Sequence, residues 1–153
     1  EIRRGDLVVV DIGSKYAHYC SDMTRTFVAG KPTDKQRKLY DVVKVAQEKA
    51  YRAIRAKAKG KDADQVAREV IEEAGYGENF NHGLGHGVGL EIHEPPVLSP
   101  SSKDRLVAGN VVSNEPGIYF AGYGGFRIED TVLVKKRVSE KLTDGFYSLD
   151  TAK

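Results

Sequence analysis

The feature that most restricts the fold is a glycine-rich break, Ala121-Gly122-Tyr123-Gly124-Gly125, between two segments of strand character, Val111 to Tyr119 and Phe126 to Val134. Two such segments around a permissive turn read as an antiparallel hairpin. A turn centred on Gly122 sets Glu115 directly opposite Glu129. Side chains alternate along a strand, so Arg127 shares the face of Glu129 while Ile128, Asp130 and Val132 face the other way. Like charges facing each other destabilise a strand pair, and two carboxylates about 5 Å apart either share a proton or hold a cation. A metal removes the conflict; a different register leaves both glutamates as solvated strand residues.

A second hairpin lies at the other end of the chain. Leu7 to Ile12 reads as a buried strand, followed by the turn-prone Gly13-Ser14-Lys15 and an extended segment from about Tyr19 to Val28. Setting Asp11 opposite Asp22 requires a four-residue loop from Lys15 to His18, a common length, although the turn residues alone favour a tighter turn at Gly13-Ser14. An aspartate closing Leu-Val-Val-Val is costly to bury unless it is paired, hydrogen-bonded or on a metal. As an exposed strand end it is a simple turn former.

Between the hairpins, Thr33 and Gln36 form a capping-box pattern, and Leu39, Val42, Val43, Ala46, Ala50, Ala53 and Ile54 recur at helical spacing until Gly60. A second helix is expected after an N-cap at Asp62, with Val66, Ala67, Val70, Ile71 and Ala74 inward and a stop at Gly75. Both read as core packing. Strands, then helices, then strands point to an α+β chain with helices on one face of a mainly antiparallel sheet.

At 153 residues the chain is expected to form one domain around one core. With 24 Lys plus Arg against 22 Asp plus Glu, its net charge of +2 is far from that of a phosphate-backbone binder. Nucleic acid is not expected as a partner, and no run approaches the roughly 18 apolar residues of a membrane span. The single Cys20 excludes an intrachain disulfide framework and fits a reducing compartment, so the expected location is cytoplasmic. There is no internal repeat, linker or signal-like N-terminus, and the opening a few residues before a core strand reads as a cut.

The densest chemistry lies in Asn81-His82-Gly83-Leu84-Gly85-His86-Gly87-Val88-Gly89-Leu90-Glu91-Ile92-His93-Glu94, which holds three of the four histidines and four glycines. Glycines permit close backbone approach, and imidazoles ligate metals or move protons near neutral pH. The glycines and the histidine spacings argue against a His-Glu-x-x-His helix, and no Gly-Lys-Ser/Thr follows to make a phosphate loop. Taken alone, these are otherwise scattered loop histidines.

Asp11-Ile12-Gly13, Ser21-Asp22-Met23-Thr24-Arg25-Thr26, His82-Gly83-Leu84-Gly85-His86-Gly87, Glu115-Pro116-Gly117-Ile118-Tyr119 and Arg127-Ile128-Glu129-Asp130-Thr131 resemble, in order and spacing, the motif series of the pita-bread metallopeptidases. The continuations around Glu115 and Glu129 resemble the Xaa-Pro aminopeptidase and prolidase branch rather than the methionine aminopeptidases. The resemblance implies a partial pita-bread fold, a curved antiparallel sheet with two main helices on one face. It implies two divalent metal ions, one held by Asp11, Asp22 and Glu129 and the other by Asp22, His86, Glu115 and Glu129. Oxygen-rich ligands with one imidazole suit manganese or cobalt, with zinc or iron also able to bind. By the same resemblance, Glu115 is the general base toward a hydroxide bridging the metals, and short peptides with proline at the second position are the substrates. His82 and His93 match substrate-contacting and proton-handling positions. Tyr119 and Arg127 match positions that orient substrate, or support the carboxylates by hydrogen bonds.

Relative to that family, residues 1–153 are expected to be a single, N-terminally truncated catalytic domain, lacking a preceding domain and the start of the first pseudo-symmetric half. Exposed apolar surface then leads to the expectation of a homodimer. An alternative to an active exopeptidase is a catalytically weak metal-binding fragment or scaffold that self-associates.

Overall fold

A computed structural model describes residues 1–151. Its N-terminal hairpin consists of β1 (Leu7–Ile12), β2 (Lys15–Tyr16), β3 (Tyr19–Cys20) and β4 (Met23–Val28). β1 pairs with β4, and beyond a short break β2 pairs with β3 in the same register. The tip is a two-residue turn in which Ala17 and His18 have φ of 48° and 70°. A left-handed pair of this kind matches the twist of the strands it joins. The register expected from the sequence is therefore corrected: Asp11 faces Thr24 rather than Asp22, and the four-residue loop is not formed. Gly13 is not the turn. It lets the strands close up, because a Cβ there would lie 2.4 Å from the Ser21 carbonyl oxygen.

α1 (Asp34–Ala53) starts at the expected capping box, with the Gln36 amide donating to Thr33 Oγ1 and the Thr33 amide donating to Gln36 Oε1. It ends at Ile54 instead of continuing to Gly60. α2 (Gly60–Glu73) begins before the expected cap at Asp62, with Lys59 as the N-cap residue. Tertiary contacts decide this start. The Gly60 amide donates to the Asp104 carbonyl at 2.9 Å, and a Cβ at Gly60 would lie 2.1 Å from the Val97 carbonyl oxygen. Ala67, Val70 and Ile71 point inward as expected, whereas Val66 is half-buried and Ala74 is exposed. Asp64, absent from the expected inward set, is completely buried.

After a 3₁₀ turn at Gly77–Asn79 come β5 (Gly85–Gly87), β6 (Glu94–Leu98), β7 (Val111–Asn114), β8 (Gly117–Phe120), β9 (Gly124–Arg127), β10 (Asp130–Leu133) and β11 (Glu140–Lys141). A five-stranded antiparallel sheet has the order β11-β10-β7-β5-β6, and β8 and β9 pair beyond it. The pairs Asn114 with Asp130 and Gly117 with Arg127 keep the register expected for a turn about Gly122. Glu115 and Glu129 thus fall opposite each other where the two ladders meet.

The core lies between the helices and the sheet. Leu39, Val43, Ala46 and Ala50 of α1 meet Ala67 and Ile71 of α2, with Leu98, Val112, Ile118, Phe126, Ile128 and Val132 from the strands. The last segment straps the N-terminal hairpin to this body, with the Leu142 amide donating to Thr131 and the Val28 amide to Leu149. Among the described residues no helix is long and apolar enough to cross a membrane.

Candidate metal centre

Asp22, Glu115 and Glu129 occupy the gaps between strands, at the joints of the β3/β4, β7/β8 and β9/β10 pairs. Two of these gaps have a common cause. The Glu129 amide donates to the Thr24 carbonyl at 3.0 Å, and the Glu115 amide donates to the Leu84 carbonyl at 2.9 Å. Each amide leaves its own ladder to lace a neighbouring motif to the second hairpin. This brings together both hairpins and the glycine-rich loop, although they lie far apart in sequence.

The side chains then converge. His86 Nε2 lies 3.1 Å from Glu115 Oε1 and 3.8 Å from Asp22 Oδ2. Its Nδ1 faces the Gly87 carbonyl at 3.0 Å, and since a carbonyl only accepts, that nitrogen carries a proton. Ser113 Oγ donates to Glu115 Oε1 at 2.9 Å and accepts from the His86 amide at 2.9 Å. Thr24 Oγ1 donates to Glu129 Oε2 at 2.6 Å. Glu129 is 1% exposed, and its other oxygen, Oε1, is buried without a hydrogen-bond partner among the described residues. One ligand atom each from Asp22, His86 and Glu129 lie within 4.8 Å of one another.

The electrostatics carry the same conflict. Burial, reinforced by the charge of Glu115, pushes the Glu129 carboxyl from its ordinary 4.5 up to about 8. Burial also raises Asp22, with Asp11 and Glu115 adding to it. For Glu115, burial pushes upward but the hydrogen bonds from His86 and Ser113 outweigh it, and its carboxyl titrates lower than usual. For His86, burial pulls downward but the bonds to Glu115 and Gly87 and the nearby carboxylates prevail, raising it to about 9. A buried oxygen with no partner, beside carboxylates whose charges raise Glu129 and Asp22, is the environment a divalent cation relieves. The donor set fits such an ion.

The remaining candidates form a rim. Arg127 pairs through Nη2 with Asp11, donates from Nη1 to Tyr119 Oη at 3.0 Å and from Nε to Thr24 Oγ1 at 3.2 Å. His82 Nε2 lies 3.1 Å from Tyr119 Oη, and its Nδ1 faces the Gly83 carbonyl at 2.7 Å. Tyr119 accepts from Arg127, so its own proton is free to go to His82 Nε2. The His93 ring packs edge-on against His86 with centroids 4.3 Å apart. Asp11 is the most exposed of the candidate ligands and stands outside the tight trio, held by Arg127. His82, His86, Val97, Ser99, Glu115 and Arg127 line a cavity of about 370 Å³.

Three contributors were not singled out from the sequence. Ser113 and Thr24 hold the two glutamates; each lies two residues from a candidate ligand on the same strand face, a usable signal. Asp64, on α2, accepts from the Leu84 amide. Its signal was an aspartate on the apolar stripe with an arginine four residues later.

Residues 1–136 match the model of metallopeptidase family M24. An Xaa-Pro dipeptidase of Pyrococcus horikoshii is 51% identical over 142 residues, 93% of this chain and 40% of that protein. The crystal structure of the prolidase from Pyrococcus horikoshii OT3 superposes with a TM-score of 0.94 at 50% identity, covering 97% of this chain and 43% of that one. An Xaa-Pro dipeptidase from Bacillus anthracis gives 0.95 at 45% identity, covering 97% and 42%. The chain thus spans about two fifths of the length of the curated relatives it matches. With this match running through all the converging motifs, and the pita-bread architecture shared with solved prolidases, the chain belongs to metallopeptidase family M24.

Proposed function

We propose that this chain carries the dinuclear metal centre of an exopeptidase that cleaves the bond between an N-terminal residue and proline. The observation that supports it most is the trio Asp22, His86 and Glu129, with Glu129 Oε1 buried and unpartnered inside it. In this reading Asp11, Asp22 and Glu129 hold one ion and Asp22, His86, Glu115 and Glu129 the other. Manganese or cobalt suits this oxygen-rich set better than zinc, with iron also acceptable. When bound, such ions supply Lewis acidity, lowering the pKa of water and polarising the scissile carbonyl. Glu115, held by the Ser113 hydroxyl, takes the proton of the attacking water. Arg127, which lines the 370 Å³ cavity, and Tyr119, hydrogen-bonded to it, orient the peptide, while His82 and His93 contact substrate and take part in proton transfer. The assignment of proline specificity rests on the similarity of the chain to Xaa-Pro dipeptidases.

A second reading is a metal-holding scaffold with little turnover. It is favoured by Asp11, half-exposed and already engaged by Arg127. Hydrolysis of Xaa-Pro dipeptides with added manganese or cobalt, and Glu115→Gln as control, separates the two. Turnover abolished by Glu115→Gln supports the exopeptidase; bound metal without turnover supports the scaffold. Self-association accompanies either reading, because Val9, Ile12, Leu90 and Ile92 are exposed apolar residues near the hairpin and the histidine loop. A clean monomer by light scattering at micromolar concentration overturns that part.

A further inference from the structure

The histidine loop poses a mechanical problem. Glycines at 83, 85 and 87 let the backbone approach β6 and β7, and Leu84 between them is anchored in the core. His82 precedes them and lies outside any strand. Its ring nevertheless meets Tyr119 with a defined protonation pattern. The half-buried side of this segment, around His82, is held by polar contacts to its backbone.

Those contacts come from an ion pair on α2. Asp64 and Arg68, four residues apart, make a two-pronged pair, Arg68 Nε to Asp64 Oδ2 at 3.0 Å and Nη2 to Oδ1 at 3.1 Å, with Asp64 fully buried. The pair is turned toward the loop rather than along the helix surface. Arg68 Nη1 donates to the Phe80 carbonyl and Nη2 to the His82 carbonyl, both at 2.8 Å. Asp64 Oδ1 accepts from the Leu84 amide at 2.9 Å. Residues 80, 82 and 84 are thus gripped in succession by one guanidinium and one carboxylate. The Arg68 guanidinium also lies over the Phe80 ring at 4.2 Å, and that ring stands edge-on to His82 at 5.0 Å.

A surface salt bridge contributes little. This one is buried at its acidic end, and its spare donors and acceptor go to loop backbone, so its geometry becomes that of the loop. Lysine cannot replace it, because a single ammonium lacks the planar fork that meets a carboxylate and two carbonyls together.

We propose that Asp64 and Arg68 are positioning residues for His82: by fixing the backbone of residues 80–84, the Gly83 carbonyl included, they aim its imidazole between that carbonyl and Tyr119 and so hold it in the Nδ1–H form, with Nε2 as acceptor. The proposal rests on the reading of His82 as a substrate-facing residue, but its test does not require turnover. The imidazole nitrogens of the metal-free chain are followed by long-range ¹H–¹⁵N correlation at pH 8, in chelator, with His82 assigned through His82→Asn. The parent is expected to show His82 in the Nδ1–H form. Tyr119→Phe removes the donor to Nε2, leaves the Gly83 carbonyl to hold the Nδ1–H form, and shifts part of the population to the Nε2–H form. Arg68→Lys shifts it likewise, and the double variant shifts it no further, while far-UV dichroism and cooperative unfolding are retained. A role confined to stability lowers the unfolding midpoint but leaves the His82 tautomer as in the parent; that result overturns the proposal. Where Arg68→Lys is unfolded at the measuring temperature, Asp64→Asn carries the same comparison, since its amide oxygen still accepts from Leu84 but no longer orients the guanidinium. Absence of turnover in the parent chain sinks only the peptidase reading; the tautomer still decides this one.

Discussion

Replacing Glu129 by glutamine isolates the electrostatic cost built into the candidate metal centre. Glutamine keeps the shape and can still accept from Thr24 Oγ1, which donates to the carboxylate at 2.6 Å, but it carries no charge. An acid whose pKa is 4.5 unfolded and about 8 folded binds more protons in the folded state throughout that interval. Stability therefore falls as pH rises from 4.5 through 8. Linkage between those two values gives about 1 kcal/mol of lost stability at pH 5 and about 4 kcal/mol at pH 8. Water entry around the charge reduces the latter, so in chelator Glu129→Gln is expected to be about 2–4 kcal/mol more stable than the parent at pH 8 and within about 1 kcal/mol of it at pH 5. Urea unfolding followed by circular dichroism at both pH values, with chelator and again with manganese, measures this. Manganese should stabilise the parent and not the variant. A variant no more stable than the parent at pH 8, or an equal effect at both pH values, refutes the account of Glu129 as a buried carboxylate awaiting a cation.

Three further outcomes follow from the same contacts. Thr24→Val removes the donor to Glu129 and the acceptor for Arg127 Nε; calorimetric titration should show metal affinity weakened about tenfold, with about 1–2 kcal/mol lost in unfolding. Asp130 is completely buried and gathers Arg25, Gln47, Lys141, Thr143 and Tyr147, so Asp130→Asn strands the cations and should cost about 3–5 kcal/mol in urea unfolding at pH 7. Gly85→Ala places a Cβ 2.3 Å from the Ser113 carbonyl oxygen; forcing β5 away from β7 should cost about 1–3 kcal/mol and abolish metal binding by elemental analysis, with His86 displaced from Glu115.

The local part of the fold was legible because local rules govern it. The turn about Gly122 follows from glycine-rich sequence between apolar strands, and the start of α1 follows from a capping box that needs only Thr33 and Gln36. Where a neighbour from elsewhere in the chain competes, the local signal failed. Asp62 is a good N-cap residue, yet Gly60 starts α2 because the helix must pass close to Val97 and Asp104. Gly13-Ser14 is a good turn, yet the chain turns at Ala17 and His18 and uses Gly13 for close strand contact.

The sequence by itself determined which residues stand as candidates for the chemistry and how one pair of them meets, because residue type and strand alternation are properties of a segment. Only the tertiary structure decided how Asp22, His86 and Glu129 come within ligand distance of one another. That convergence depends on the Glu129 and Glu115 amides leaving their own ladders for Thr24 and Leu84. It likewise decided that Asp64, which reads as an ordinary helix residue, is buried against the histidine loop. Spacing along a chain cannot state which carbonyl a distant amide will find; that is settled when the packed core brings the hairpins, the loop and α2 together.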